Sequence, residues 1–348
     1  MAVSKSSSGE EQDKNGQEHQ EKQEALIPGL PDEIAELCLL HLPYPYQSLA
    51  RSVCCSWNRI ITDPGFFVCK RSLSLSLPYL FIFAFHKSTA RIQWQALDPR
   101  SNRWFVLPSM PCPKAVCPPG FTCASNTRQG QLYVLGASPM VTPRSFFAAG
   151  NVNGKIIAVG GSGGEYNDSN TCVESYDPQT DTWEQVSKMR VRLARYDSAV
   201  VGGKMYVTEG WTWPFLFSPR GGVYDPESDT WQEMKDGMKE GWSGVSVVVC
   251  DRLFVISEYG DCPMKVYVPD RDKWLYVGGD KFPRETIQRP FAVSAVEGKI
   301  YVVSSGLNVA IGSASEGPNG EFIAKWDVVA APEAFRDLSP SSCQVLYA

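Results

Sequence analysis

The side chains that could do acid–base or metal chemistry are few and scattered. The chain has 348 residues but only 3 histidines, His19, His41 and His86. They lie too far apart to read as a ligand pair or as a base beside a nucleophile. Of 11 cysteines, Cys112, Cys117 and Cys123 fall close together in a Pro-rich stretch. No histidine lies nearby and their spacing fits no zinc pattern. The remaining cysteines show no paired Cys-x-x-Cys spacing and read as small core fillers, kept as thiols in a reducing compartment. Glu209, Glu258 and Asp261 stand on loops and could pair for proton transfer or bind an iron, but loop carboxylates of this kind are ordinarily solvated. No catalytic, cofactor or metal site is assigned, and the expectation is a protein without catalysis of its own.

The chemistry that remains is recognition. Arg144, Arg195, Trp242 and Arg289 recur at near-constant intervals, and the stretch from Glu209 to Gly222 carries Trp211, Trp213, Phe215 and Phe217. Arg and aromatic residues are the types that dominate protein-binding hot spots. A formal net charge of -5 argues against a general nucleic-acid binder, which needs a basic surface to displace counterions from phosphate. The longest apolar run, Pro78 to Phe85, falls well short of the ~20 residues of a membrane span, and Met1 to Ala25 has no apolar core of signal-peptide type. A nuclear or cytoplasmic protein with protein or small-ligand partners is expected.

The elements that must carry these residues are legible from repeats. Tyr176 to Trp183 (Tyr-Asp-Pro-Gln-Thr-Asp-Thr-Trp) recurs at Tyr224 to Trp231 and Tyr267 to Trp274, and in degenerate form at Leu97 to Trp104. A turn-forming Pro with Asp, Ser or Asn between apolar runs reads as strand, turn, strand. A second recurring segment, Gly then a polar residue then an apolar run, starts at Gly130, Gly154, Gly203, Asp251 and Gly298, each after another apolar run. Two strands from each segment make a four-stranded meander of about 48 residues, the size of one propeller blade. The step from Gly130 to Gly154 is half the usual length, so one blade is expected to lack its outer two strands. Ser342 to Tyr347 lies beyond the last complete blade. It would supply the inner strand of a first blade built from Tyr79 to Phe85, Arg91 to Leu97 and Trp104 to Leu107, joining the chain ends and removing an open edge. Six blades result, one shortened.

In such a meander the Tyr-Asp-Pro turns leave one face, while the turns between strands 2 and 3 and the links between blades leave the other. The motif's Asp and Trp are therefore assigned to turn capping and packing between blades. The Arg and Trp set is expected around the channel mouth on the opposite face, with the aromatic loop beside it. The structural alternative is that the Arg side chains bond loop carbonyls and the aromatics cover the channel.

Ahead of the repeats, residues 1–25 hold almost nothing apolar and are expected to be a disordered tail. From Leu26 the pattern turns helical: Ile34, Leu37, Cys38 and Leu40 or His41 share one face, and Tyr46, Leu49, Val53 and Trp57 another, with a stop at Asp63-Pro64-Gly65. About 40 residues make a poor core alone. Pattern leaves two readings open, a partner groove or docking on the repeat domain.

The residues Leu30-Pro31-Asp32-Glu33-Ile34, Leu40-His41-Leu42-Pro43, Leu49 and Val53-Cys54-Cys55-Ser56-Trp57 resemble the F-box motif over its whole length. Cys55 departs from it, since a basic residue is common there. The repeats, with Gly160-Gly161 ending a second strand, resemble kelch repeats, although Gly136-Ala137, Glu209-Gly210 and Ser305-Gly306 replace the double glycine elsewhere. The combination resembles the plant F-box/kelch-repeat proteins. That resemblance implies a small all-α F-box over residues 26–70 followed by an all-β kelch propeller over 72–348. It implies a Skp-type adaptor, and through it a cullin of an SCF-type ubiquitin ligase, with Leu30, Pro31, Ile34, Leu37, Leu42, Pro43, Leu49, Val53, Cys54 and Trp57 forming or supporting that interface. The propeller would hold a target protein. Ile27 to Tyr46, Lys87 to Trp94 and Met238 to Pro263 look especially like a member tied to light signalling, which extends the implication to phytochrome pathways. The alternative kept beside it is a small-molecule-binding or enzymatic propeller whose F-box governs its own turnover.

Overall fold

In the computed structural model the chain divides into two units, Met1–Phe66 and Phe67–Ala348. The described residues are 25–108, 122–126, 131–135, 140–142, 144, 146–162, 171–193, 197–209, 219–257, 264–318 and 320–348. The tail expected over 1–25 lies outside them except for Ala25.

The first unit is helical: α1 (Asp32–Leu40), α2 (Tyr44–Ala50), α3 (Cys55–Thr62) and the start of α4 (Pro64–Ser72). Pro31 and Pro43 stand at the N-caps of α1 and α2, where a missing N–H costs nothing, and Asp32 and Glu33 place negative charge in the first turn of α1. Cys54 caps α3, its Sγ accepting from the Trp57 N–H at 3.5 Å. The Trp57 indole N–H donates to Leu26 O at 2.7 Å, and Leu26 N–H donates to Asp32 Oδ1 at 3.0 Å, so the leading segment is tied to both α3 and α1. Apolar residues buried here are Ala35, Leu39, Leu40, Ala50 and Phe66.

The second unit is built of antiparallel meanders. The first sheet contains β1 (Pro78–His86), β2 (Ile92–Asp98) and β3 (Arg103–Val106), followed by a two-stranded sheet of β4 (Thr122–Asn126) and β5 (Gln131–Leu135). Then come β6 (Ala148–Val152), β7 (Lys155–Val159), β8 (Val173–Asp177) and β9 (Thr182–Val186), and β10 (Asp197–Val201), β11 (Lys204–Thr208), β12 (Gly221–Asp225) and β13 (Thr230–Glu233). After a short helix, α5 (Asp236–Gly241), stand β14 (Gly244–Val249), β15 (Arg252–Ser257), β16 (Met264–Val268) and β17 (Lys273–Tyr276). The next sheet comprises β18 (Gly278–Gly279), β19 (Ala292–Val296), β20 (Lys299–Val303), β21 (Val309–Glu316) and β22 (Phe322–Val329), with the short β18 pairing parallel to β22 at its outer edge. The last strand, β23 (Leu338–Tyr347), runs antiparallel to β1, pairing Leu80 with Val345 and Ile82 with Cys343. Five sheets of four or five strands are thus described, as a kelch propeller requires.

The repeated motif acts through side chains. In three meanders the Tyr and Trp face each other across the hairpin, Tyr176–Trp183, Tyr224–Trp231 and Tyr267–Trp274, with ring centroids 5.2, 5.2 and 5.4 Å apart. Each Tyr hydroxyl donates to the second Asp of its own turn, Asp181, Asp229 or Asp272, at 2.7, 2.8 and 2.7 Å. Those Asp residues sit at φ between 47° and 55°, a left-handed conformation that Asp tolerates better than most residues. Asp229 also accepts from Ser187 N–H, and Trp231 Nε1 donates to Ser187 O; Asp272 and Trp274 hold residues 237 and 238 in the same way. The motif therefore caps its turn and grips the link that leaves the preceding meander.

Candidate functional site

Two surfaces merit attention. On the helical unit, large apolar side chains are left in solvent: Leu30, Ile34, Leu37, Leu49 and Val53 are 38%, 46%, 40%, 65% and 62% exposed. Pro31, Pro43 and Cys54 are exposed as well, while Leu42 and Trp57 are half-buried. The spacings Ile34/Leu37 and Leu49/Val53 keep each pair on one face of its helix or helix end. Buried residues of the same helices, Ala35, Leu39, Leu40 and Ala50, point elsewhere. Exposed apolar side chains gathered in this way are costly in water, and large patches of them are characteristic of interaction surfaces.

On the propeller, the proposed ring of Arg and Trp side chains is corrected by the structure at two positions. Arg144 is buried and ion-paired with Glu174, and its guanidinium also donates to the carbonyls of Thr142, Gly160 and Cys172. Glu174 in turn accepts the Val141 and Thr142 N–H groups at 2.9 and 3.0 Å. Arg144 is thus a clamp on the segment before β6, because a guanidinium taken out of water needs every donor met. Trp242 is wholly buried and donates its indole N–H to Asp197 Oδ2 at 2.7 Å. Equal spacing placed these side chains at equivalent points of the meander but said nothing of their direction. Arg289, which precedes a cis proline, is exposed. Arg195, Trp211, Trp213, Phe215 and Phe217 lie outside the described residues.

The acid–base candidates fare similarly. Glu209 is held in a two-point ion pair with Arg220, at 2.8 and 2.9 Å, and Glu258 and Asp261 lie outside the described residues. His41 bonds Leu37 O at 2.8 Å; His86 bonds Gln93 at 2.9 Å and lies 3.5 Å from Asp337. Cys123 is buried on β4, and Cys112 and Cys117 are not among the described residues. Among the described residues no group of three His, Cys, Asp or Glu side chains could hold a metal ion, and no helix is long and apolar enough to cross a membrane.

One group escaped sequence reasoning. Asp197 opens β10 and lines a central cavity walled by β4, β6, β10, β14, β19 and β23. The corresponding inner-strand positions hold Ala148 and Val245, so a lone carboxylate in an apolar column was the available signal. Burial pushes its carboxyl above the usual carboxylate range, against the lowering effect of hydrogen bonds from Trp242 and Ser246.

An F-box-like helical unit with an unpartnered apolar stripe, joined to kelch-type meanders without catalytic constellations among the described residues, defines an F-box/kelch protein. Residues 27–69 match the F-box domain model and residues 143–190 the Kelch motif model. The chain is 55% identical over 357 residues to the Arabidopsis thaliana F-box protein AFR, covering 96% of each. It is 40% identical to the F-box/kelch-repeat protein At1g30090 of the same plant (93% of this chain, 87% of the other) and 25% identical to SKIP4 (84% and 85%). The chain belongs to the plant F-box/kelch-repeat family. Proteins of this family generally act as substrate adaptors of SCF-type ubiquitin ligases, with the F-box as the segment that binds a Skp-type adaptor.

Proposed function

We propose that this chain is the substrate-recognition subunit of an SCF-type E3 ubiquitin ligase acting in the nucleus or cytoplasm. Its F-box docks a Skp-type adaptor and through it a cullin, while the propeller holds a target protein for ubiquitination and does no chemistry itself. The observation that carries this reading is the exposed stripe of Leu30, Ile34, Leu37, Leu49 and Val53. Full burial of a fully exposed side chain of this size is worth about 1.5–3 kcal/mol, and these, one to two thirds exposed, would each contribute a fraction of that. The target face is the one that bears Arg289, and Arg195, Trp211, Trp213, Phe215 and Phe217 belong to the same proposal by sequence position. Similarity to AFR motivates the further proposal that the target belongs to light signalling.

Six blades, the β4–β5 hairpin being a shortened one and β23 closing the ring, form part of the proposal. Hydrogen bonds between neighbouring inner strands support it: Ser125 to Gln344, Asn151 to Ser125 O, Ser198 to Ala149 O, Ser246 to Ser198 O and Val345 N–H to Ser294.

The test is co-precipitation of the tagged full chain from plant cells with proteasome activity blocked. Wild type is expected to recover a Skp-type adaptor, a cullin and a ubiquitinated target. The Leu49→Ala/Val53→Ala variant should retain the target and lose the first two. Retention of adaptor by that variant contradicts the reading.

A further inference from the structure

The channel has a distinctive chemistry at the end where the inner strands begin. A cavity of about 380 Å3 opens there. Among the described residues its one charged lining residue is Asp197; Ser246, Ser342 and Gln344 add hydroxyl and amide groups, and Phe146 and Phe291 add aromatic rings. No Lys or Arg among the described residues lines it. At about 30 Å3 per water, this is room for on the order of ten waters or a small organic group.

Asp197 is held entirely by neutral donors. Its Oδ2 accepts from Trp242 Nε1 at 2.7 Å and from the Ser246 N–H at 2.9 Å, and no ion pair reaches it among the described residues. Its carboxyl is therefore oriented by neutral donors, burial disfavours its charge, and no cation offsets it among the described residues, so a cation at this wall would be the compensating partner. Phe146 lines the cavity, is 56% exposed and adopts φ 55°, a conformation costly for a bulky side chain. Phe291 is half-buried and held edge-on against Phe282, with centroids 5.9 Å apart.

Each ligand class meets a different reception here. An anion would face the Asp197 carboxyl with no basic group among the described lining residues to offset it. A purely apolar molecule would strip water from the serine hydroxyls without replacing their hydrogen bonds. A cation with an alkyl stem gains on all three counts: ion pairing with the carboxylate, N–H donation to hydroxyl and amide oxygens, and attraction to the aromatic faces. We propose that this cavity binds an organic ammonium group. The group is carried either by a free small amine or by a lysine side chain that a target protein presents at the channel mouth. Binding of a free amine is independent of adaptor docking. The lysine source rests on the receptor reading above.

The experiment is a ligand-observed NMR titration of the full chain with n-butylammonium, N-acetyl-lysine N-methylamide and the neutral n-butanol. Both cations are expected to bind saturably and n-butanol not to compete. Asp197→Asn keeps an acceptor for Trp242 while removing the charge, and should weaken both cations by about tenfold or more. Phe146→Ala alters an exposed ring and should weaken them severalfold. It carries the test alone if the Asn variant fails to melt cooperatively. Tenfold tighter binding of the blocked lysine assigns the site to a target side chain, and equal binding assigns it to a free amine; both support the proposal. Absence of saturable binding by either cation, equal competition by n-butanol, or unchanged affinity in folded variants overturns it. Failure here with intact adaptor binding leaves the receptor reading standing.

Discussion

Asp229 shows how one carboxylate serves both a turn and its neighbour. Burial raises its pKa, but hydrogen bonds from the Ser187 N–H and the Tyr224 hydroxyl outweigh that effect and hold it below the ordinary range. Tyr176, bonded to Asp181 in the equivalent turn, is pushed up to about 12, first by that hydrogen bond and then by burial. A depressed carboxyl contributes stability that is present above its unfolded value, about 3.9, and is lost as pH falls through the folded value. Asp272, similarly depressed against its own burial by Tyr267 and the Gly237 and Met238 N–H groups, adds to the same acid limb. Asp229→Ala is therefore expected to lower stability at neutral pH by about 1 kcal/mol, because it strands the buried Tyr224 hydroxyl, and to flatten the loss of stability below pH 4. Thermal melts across pH 3–7 check both parts; an unchanged acid limb would show that the motif's second Asp is dispensable.

Among the elements, the segment leading into β6 depends on one buried ion pair. Removing either partner of Arg144–Glu174 leaves a charge without compensation, and about 3–5 kcal/mol should be lost in Arg144→Ala or Glu174→Gln. The paired replacement Arg144→Met/Glu174→Leu should recover only part of this, since the Val141 and Thr142 N–H groups and the Gly160 and Cys172 carbonyls would then lose their partners. Denaturant unfolding of the three variants measures it; full recovery would mean those backbone groups find other partners. This is also where sequence reading stopped short. The Tyr-Asp-Pro spacing located β8–β9, β12–β13 and β16–β17 because turn chemistry is local. The Arg144, Trp242 and Arg289 interval located equivalent positions equally well, yet whether a side chain enters the core or the solvent depends on carbonyls and carboxylates brought close only by folding. The two-residue β18, paired in parallel to β22, left no periodicity long enough to detect.

At the scale of the molecule, the two units have opposite characters. In three kelch meanders the motif's Tyr, Trp and second Asp side chains are spent on internal contacts, and Arg144 and Trp242 with them. The helical unit buries few of its large apolar residues and leaves Ile34, Leu49 and Val53 outside. That contrast was legible from the F-box-like pattern of Leu30 to Trp57, whereas the Asp197 cavity was not, because its wall is assembled from six strands distant in sequence. The central claim is that the exposed stripe is an adaptor interface. Calorimetric titration of a purified Skp-type adaptor into the full chain tests it most directly, comparing wild type with Ile34→Ala/Leu49→Ala/Val53→Ala. These positions are solvent-exposed, so the melting temperature should barely move while affinity falls by about a hundredfold or more, from hot-spot losses of about 1–2 kcal/mol at each site. A wild-type chain that takes up no adaptor, or a folded triple variant that binds it with unchanged affinity, would contradict the account.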